Sequence, residues 1–282
     1  MKKAILAVSG LALVVTISAC GARPETGQAP SGGSDSLFGN AQELVRAASA
    51  KTDQAQSTKF TLTETLGSMG KITAHGEGRF GADPVMDMKM NVLGGPQSME
   101  MEMRLVDKTF YIKVPPEQSA KTGGKPWGRV VVDEKTAKAM GDVTQTAEQN
   151  DPTKILDQIQ QAGTITKSEK TTLDGQPASH YWVDIDFAKA ATLLADSSGL
   201  SAEEVQELAK KQLPPIPMEL WLNQDSLPMQ ITEDLSPLMK AAGAPESLLP
   251  ISVMMNYSDW GTPVDVQAPP ANQVGEFKPD AK

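Results

Sequence analysis

Between Met86 and Val106 the chain reads "MDMKMNVLGGPQSMEMEMRLV", with six of its 14 methionines in two runs. Met86, Met88, Met90 and Val92 fall at every second position, with Asp87, Lys89 and Asn91 between them. Met99, Met101, Met103 and Leu105 alternate in the same way with Glu100, Glu102 and Arg104. A period of two is the period of a β-strand, whose successive side chains point to opposite faces. "GGPQ" between the runs supplies a turn, so the runs read as a hairpin with its methionines on one surface. Each fully buried methionine contributes about 1.5–3 kcal/mol, so a stripe of six left in water is a costly arrangement.

The same alternation recurs on both sides of the hairpin. In "KFTLTETL", Phe60, Leu62 and Leu66 alternate with threonines. In "KITAHGEGRF", Ile72, Ala74, Gly76, Gly78 and Phe80 oppose Thr73, His75, Glu77 and Arg79. "KTFYIKV" places Phe110, Ile112 and Val114 on one face, and "WGRVVVD" reads as a further strand. The result is a long antiparallel meander with one oily face and one wet one. A second strand group follows: "TITKSEKTTL", the turn pair Asp174-Gly175, and "PASHYWVDIDF", then "PMELWLN", "PMQITEDL" and "ISVMMNYSDW".

Helices interrupt the strands at three places. "AQELVRAASAKTDQ" (41–54) carries Leu44, Val45, Ala48 and Lys51/Thr52 at helical spacing. "NDPTKILDQIQQAG" has Asp151 as an N-cap, Pro152 in the first turn and Gly163 as a stop. "SAEEVQELAKKQ" opens with Ser201 and Glu204 in capping-box spacing. About ten strands outnumber these helices, and a sheet of that length curls. Its concave oily face needs a cover, which the helices supply. A loose cover leaves an apolar cavity.

The N-terminus addresses the compartment. Lys2 and Lys3 precede the apolar run "AILAVSGLALVVTI" and then "SAC", the layout of an export signal over residues 1–19. Ile17-Ser18-Ala19-Cys20 resembles the lipobox of bacterial lipoproteins, which implies cleavage before Cys20 and a diacylglyceryl group, palmitate or similar chains, on its sulfur. Cys20 is the one cysteine of the chain, so an internal disulfide is excluded. Each buried methylene of an anchor contributes about 0.8 kcal/mol, and two or more chains hold a protein at a bilayer. The expected location is the extracytoplasmic side of the cell membrane. Residues 20–36, rich in Gly, Pro and Ser, read as a tether, and residues 270–282 as a disordered tail. One domain is expected over 37–269.

With residues 1–19 removed, 24 basic residues face 35 acidic ones. That surface argues against nucleic acid as a partner. Thioethers bind Cu(I), so the methionine runs raise a metal reading. Soft sites usually add His or Cys, and the two histidines, His75 and His180, do not share the methionine parity. Asp184-Ile185-Asp186 has the form of a metal-binding Asp-x-Asp but lacks the nucleotide-binding scaffold such enzymes need. No nucleophile elbow, His-Glu-x-x-His or P-loop is present, which points away from an enzyme and implies no cofactor. Three readings of the methionines remain: ordinary packed core, the wall of a lipid cavity, and a Cu(I) carrier.

The lipobox at Cys20, the helix before Phe60, "LDGQPASHYWVDID" (173–186) and "SVMMNYSDWGTPVDVQAP" (252–269) together resemble the actinobacterial LppX/LprG-type lipoproteins, which are similar in fold to LolA and LolB. The resemblance implies an α+β fold: a large curved antiparallel half-barrel sheet wrapped around helices and enclosing a hydrophobic cavity. It implies an acylated lipid or glycolipid as ligand, envelope transport proteins as partners, and no catalytic residue. Met86, Met88, Met90, Met99, Met101, Met103, Leu105, Phe110 and Ile112 are the expected cavity lining, with Gly76 and Gly78 leaving room beside them. A solid-cored envelope lipoprotein that works through protein contacts is the alternative.

Overall fold

The computed structural model describes residues 37–81, 83–94, 98–131, 152–190, 210 and 213–277. The chain divides into a unit of residues 1–33 and a unit of residues 34–282, and the fold below belongs to the second. Helix α1 (Ala41–Ala55) starts where Asn40 Oδ1 accepts the Glu43 N–H at 2.9 Å, satisfying a first-turn donor that has no partner within the helix. Leu44, Val45, Ala48 and Thr52 form its buried stripe, as their spacing predicts. Gln56 closes it in the left-handed region (φ 61°), donating its N–H to the Thr52 carbonyl.

Six strands follow: β1 (Ser57–Leu66), β2 (Lys71–Arg79), β3 (Val85–Leu93), β4 (Ser98–Val106), β5 (Thr109–Lys113) and β6 (Trp127–Val131). Asp107 and Lys108 turn between β4 and β5 with φ of 49° and 57°, the paired positive values of a tight hairpin. Helix α2 (Pro152–Ala162) then runs directly into β7 (Gly163–Leu173). Gly163 is needed at that junction, because a Cβ there would meet the Ile159 carbonyl oxygen at 2.5 Å and Val183 Cγ1 at 2.9 Å. Asp174-Gly175 makes the expected turn (φ 51° and 78°) into β8 (Gln176–Ile185). The chain continues through β9 (Ile216–Leu222), β10 (Pro228–Asp234), short α3 (Ser236–Ala241), β11 (Ile251–Ser258) and β12 (Val274–Glu276).

All twelve strands join one open sheet in the order β12-β6-β5-β4-β3-β2-β1-β11-β10-β9-β8-β7. Every pairing is antiparallel except β12 with β6. Two meanders, β1–β6 and β7–β11, are thus sewn together by the β1/β11 pairing. The sheet curls about α1 and α2, which pack on each other, and a continuous apolar cluster links both helices to both meanders. The expected α+β half-barrel around helices is the fold observed.

Four local readings differ or fall elsewhere. The tail expected to be loose from residue 270 contains β12, clasped to β6 by Arg129 Nε donating to Glu276 Oε1 at 2.9 Å. Helix α3 carries no amphipathic repeat long enough to read from sequence. Room beside Gly76 is taken: a Cβ there would lie 2.8 Å from Phe60 Cζ, so the position has no space for a side chain beside that ring. The export signal, Cys20, the tether, Asp151 and the helix expected over 201–212 lie outside the described residues, residue 210 apart.

Candidate ligand-binding face

Strand register sorts the inner side chains into rows that cross the sheet. One row runs Ile112–Met103–Met88–Gly76–Phe60–Tyr257. All its side chains are buried. The next runs Met101–Met90–Ala74–Leu62–Met255–Ile231–Leu220–Tyr181. Here Met101, Met90 and Leu62 are half-buried, whereas Ala74 and everything from Met255 onward are buried. The third runs Met99–Val92–Ile72–Glu64–Val253–Glu233–Met218–Val183. Met99 is 48% exposed, the next five are half-buried, and only Met218 and Val183 are sealed. The inner face therefore opens progressively from the first row to the third. A half-open, mainly apolar strip crosses six strands, from β4 to β10.

Of the nine residues singled out from sequence, six fall in these three rows, and Phe110, Leu105 and Met86 form a further row beyond the first. Met86, Met88, Met103, Phe110 and Ile112 are buried, Met90, Met101 and Leu105 are half-buried, and Met99 is exposed. The register pairs Met88 with Met103 and Met90 with Met101, so the two runs do share one surface of a hairpin. Neither of two clefts found elsewhere on the sheet touches any of the nine. One, of about 320 Å³, is lined by the outer-parity residues Trp182, Asp184, Glu219, Thr232 and Asp234 together with Val183, Met218 and Glu233 of the inner parity. The other, of about 880 Å³, lies between His75, Lys89 and Asn256 and the turns at Asp174 and Asp225.

Two residues of the strip escaped the sequence reading. Glu64 and Glu233 project from β1 and β10 onto the inner face, on either side of Val253. Their parity was the available signal: Glu64 continues the Phe60–Leu62 series, and Glu233 follows Ile231 by two. Burial pushes the Glu233 carboxyl up to about 7 and raises that of Glu64 as well. Among the described residues neither makes a hydrogen bond or ion pair.

The outer face is built differently. His180 is 6% exposed, stacked on Trp221 at 3.9 Å between ring centroids, in contact with Trp182 at 3.5 Å, and bonded through Nε2 to Glu219 Oε2 at 2.7 Å. Burial lowers its pKa, with Glu219 opposing. On the methionine hairpin the outer face is charged: Arg104 pairs with Asp87 at 2.8 Å and Glu102 at 3.1 Å, and Lys113 with Glu102 at 2.8 Å. Burial would raise the Glu102 carboxyl, but Lys113 and Arg104 hold it below its ordinary value. Both histidines thus lie on the face opposite the methionine thioethers. No group of three or more His, Cys, Asp or Glu side chains suited to a metal occurs among the described residues.

No family model matches the chain. An uncharacterized 31.2 kDa protein of Streptomyces griseus, from the rplA-rplJ intergenic region, is 27% identical over 246 residues, which span 81% of this chain and 76% of that one. Among solved structures, LprF from Mycobacterium bovis is 16% identical with a TM-score of 0.47, covering 81% of this chain and 96% of its own. A LolA superfamily protein from Nitrosomonas europaea is 9% identical with a TM-score of 0.24, covering 83% and 97%.

Proposed function

We propose that the protein is a lipid-anchored carrier that holds the acyl chains of a lipid or glycolipid against the half-open strip of its inner face. The observation that carries this reading is the row Met99–Val92–Ile72–Glu64–Val253, which stays partly in water although apolar side chains dominate it. Exposed apolar surface costs about 25 cal/mol per Å², so a contiguous strip on a sheet's concave side favours an apolar occupant. Methionine suits such a wall, because an unbranched, polarizable thioether adapts to chains of varied length. Acyl chains on Cys20, on the extracytoplasmic side of the cell membrane, would keep the strip within a tether's reach of the bilayer that supplies the ligand. Transfer then runs down an affinity gradient toward a second membrane or an envelope transport protein, and the protein acts by binding rather than catalysis.

The test is native mass spectrometry of the mature chain carrying Cys20→Ser, with analysis of its solvent extract. A mass increment of one acylated lipid that disappears on extraction is the expected result. Protein that is ligand-free as isolated, and that takes up no lipid from mixed vesicles, overturns the proposal. Full-length protein that partitions with membranes, while the Cys20→Ser form is released, checks the anchor separately.

A further inference from the structure

Two carboxylic acids on an oily face need a reason. Glu64 and Glu233 occupy inner positions of a single cross-sheet row in which neighbouring strands carry Ile72, Val253 and Met218. An aliphatic side chain at either position would pack as its neighbours do, without the cost of taking a carboxyl partly out of water. Inward-pointing charges commonly protect a sheet edge, yet β1 and β10 are interior strands with partners on both sides. The two backbones are two inter-strand spacings apart, about 10 Å, a gap that one polar lipid moiety bridges.

The surroundings set which moiety. Val253 lies between the acids, and Ile72 and Met218 flank them, so no inner-face cation meets them from β2, β11 or β9. From α3 the cation is Lys240, which is occupied by Glu246 at 2.8 Å. Asp234, next to Glu233 in sequence, lines the 320 Å³ cleft with Asp184, Glu219 and Glu233 itself, adding negative charge around that carboxyl. Lys71, paired with Thr65, belongs to the outer parity. Among the described residues the local field is therefore negative, and a phosphate placed on the strip would meet repulsion with no compensating cation from β2, β9, β11 or α3.

We infer that Glu64 and Glu233 are specificity-determining residues of the lipid site: they hydrogen-bond the uncharged oxygens of a ligand's polar part and exclude lipids that carry phosphate. This rests on the carrier reading above and deepens it. A protonated carboxyl donates to an ester carbonyl or hydroxyl, and an ionised one accepts from a hydroxyl, so neutral glycerol or sugar groups are served in both states. An anionic head group is tolerated only while the acids are protonated. Because Glu233 titrates at about 7, exclusion strengthens between pH 5.5 and pH 8.

The experiment uses the delipidated mature chain with Cys20→Ser and its Glu64→Gln/Glu233→Gln double variant. Displacement of an uncharged probe, a diacylglycerol carrying a neutral fluorophore on one acyl chain, is followed with dioleoylglycerol, oleoyl glucoside and dioleoyl phosphatidylglycerol. At pH 8 the neutral lipids should bind the wild-type chain about tenfold more tightly than phosphatidylglycerol, a ratio in keeping with one unscreened like-charge contact. The double variant should gain phosphatidylglycerol affinity until the gap closes to about twofold, with neutral lipids little changed. Lowering the pH to 5.5, below the value of about 7 at which Glu233 titrates, should narrow the gap in the wild-type chain and leave the variant flat. Stronger binding of the glucoside identifies sugar hydroxyls as the recognised oxygens, and stronger binding of dioleoylglycerol identifies the glycerol ester. A gap that survives both glutamine substitutions, or no gap in the wild-type chain, overturns the inference and leaves the carrier standing. Failure of every lipid with both proteins removes the carrier reading itself. Thermal unfolding of the variant guards against misfolding, since glutamine keeps the volume of glutamate.

Discussion

The β3–β4 hairpin and the β8–β9 pair alternate apolar and polar residues with equal regularity, yet only one of them is sealed. On β8 and β9 the inner residues Tyr181, Val183, Ile185, Met218, Leu220 and Leu222 are at most 1% exposed, with α2 packed on β7 and β8. On β3 and β4 exposure climbs from 0% at Met88 to 48% at Met99 along a single face. Alternation therefore specifies which side chains share a face. What lies over that face is a separate, tertiary matter. The outer faces differ in the same sense. The β8–β9 pair buries an aromatic stack around His180, whereas the hairpin keeps Asp87, Arg104, Glu102 and Lys113 in an ion-pair ladder.

The comparison breaks most visibly under truncation. Leu220→Ala removes a fully buried side chain and should cost about 2–5 kcal/mol in urea unfolding. Met88→Ala, at the sealed end of the hairpin, should cost nearly as much, because burial and not residue type sets the loss. Met90→Ala, one step toward the open end, should fall clearly below both. Equal losses at Met88 and Met90 would show that the hairpin is closed along its whole length, and the gradient would be lost.

Next in size is a pH effect peculiar to the open strip. Glu233 is held near 7 in the folded state against an ordinary value of 4.5, so the folded protein binds the extra proton between those values. Stability is then unaffected below about pH 4.5, falls as pH rises toward 7, and is lowest above it. Allowing for its partial exposure, the loss is about 2 kcal/mol. Glu233→Gln should raise the melting temperature at pH 8 and leave it unchanged at pH 4. An identical rise at both pH values contradicts the assignment. His180 acts with the opposite sign. Its lowered pKa means that the unfolded chain takes the proton first, so the β8–β9 pair weakens as pH falls below 6.5.

These elements also mark what was legible in the chain. The methionine faces, the Asp174-Gly175 turn, α1 and eleven strands follow from period, capping and turn chemistry, all of which act over a few residues. The β1/β11 pairing joins residues about two hundred positions apart, and no local pattern encodes it. Strand β12 is three residues in a Pro-rich stretch, recruited by a parallel edge and the Arg129–Glu276 pair rather than by its own alternation. Glu64 and Glu233 were hidden for a different reason. A strand pattern is recognised by its apolar members, so a polar residue of the apolar parity reads as noise until register places it beside Val253. Of the nine residues expected to line a cavity, five are buried within the apolar cluster that links the sheet to the helices, a tertiary packing that no strand's own alternation encodes.

The smallest effect separates stability from function at the far end of the hairpin. Met99 faces Val92 across β3 and β4 and keeps about half its surface in water, so folding gains little from it. Met99→Ser should change unfolding free energy by less than about 0.5 kcal/mol, within the range of ordinary surface substitutions. If acyl chains lie along the strip, the same change removes apolar contact with the ligand and should weaken dioleoylglycerol binding about threefold, in proportion to the methylene-sized area lost. On the sealed pair no such separation is possible, since a residue like Leu220 is spent entirely on folding. A serine at position 99 that leaves both stability and lipid affinity untouched would place the ligand elsewhere on the sheet. Loss of affinity without loss of stability would mark the open end of the methionine hairpin as ligand-facing surface.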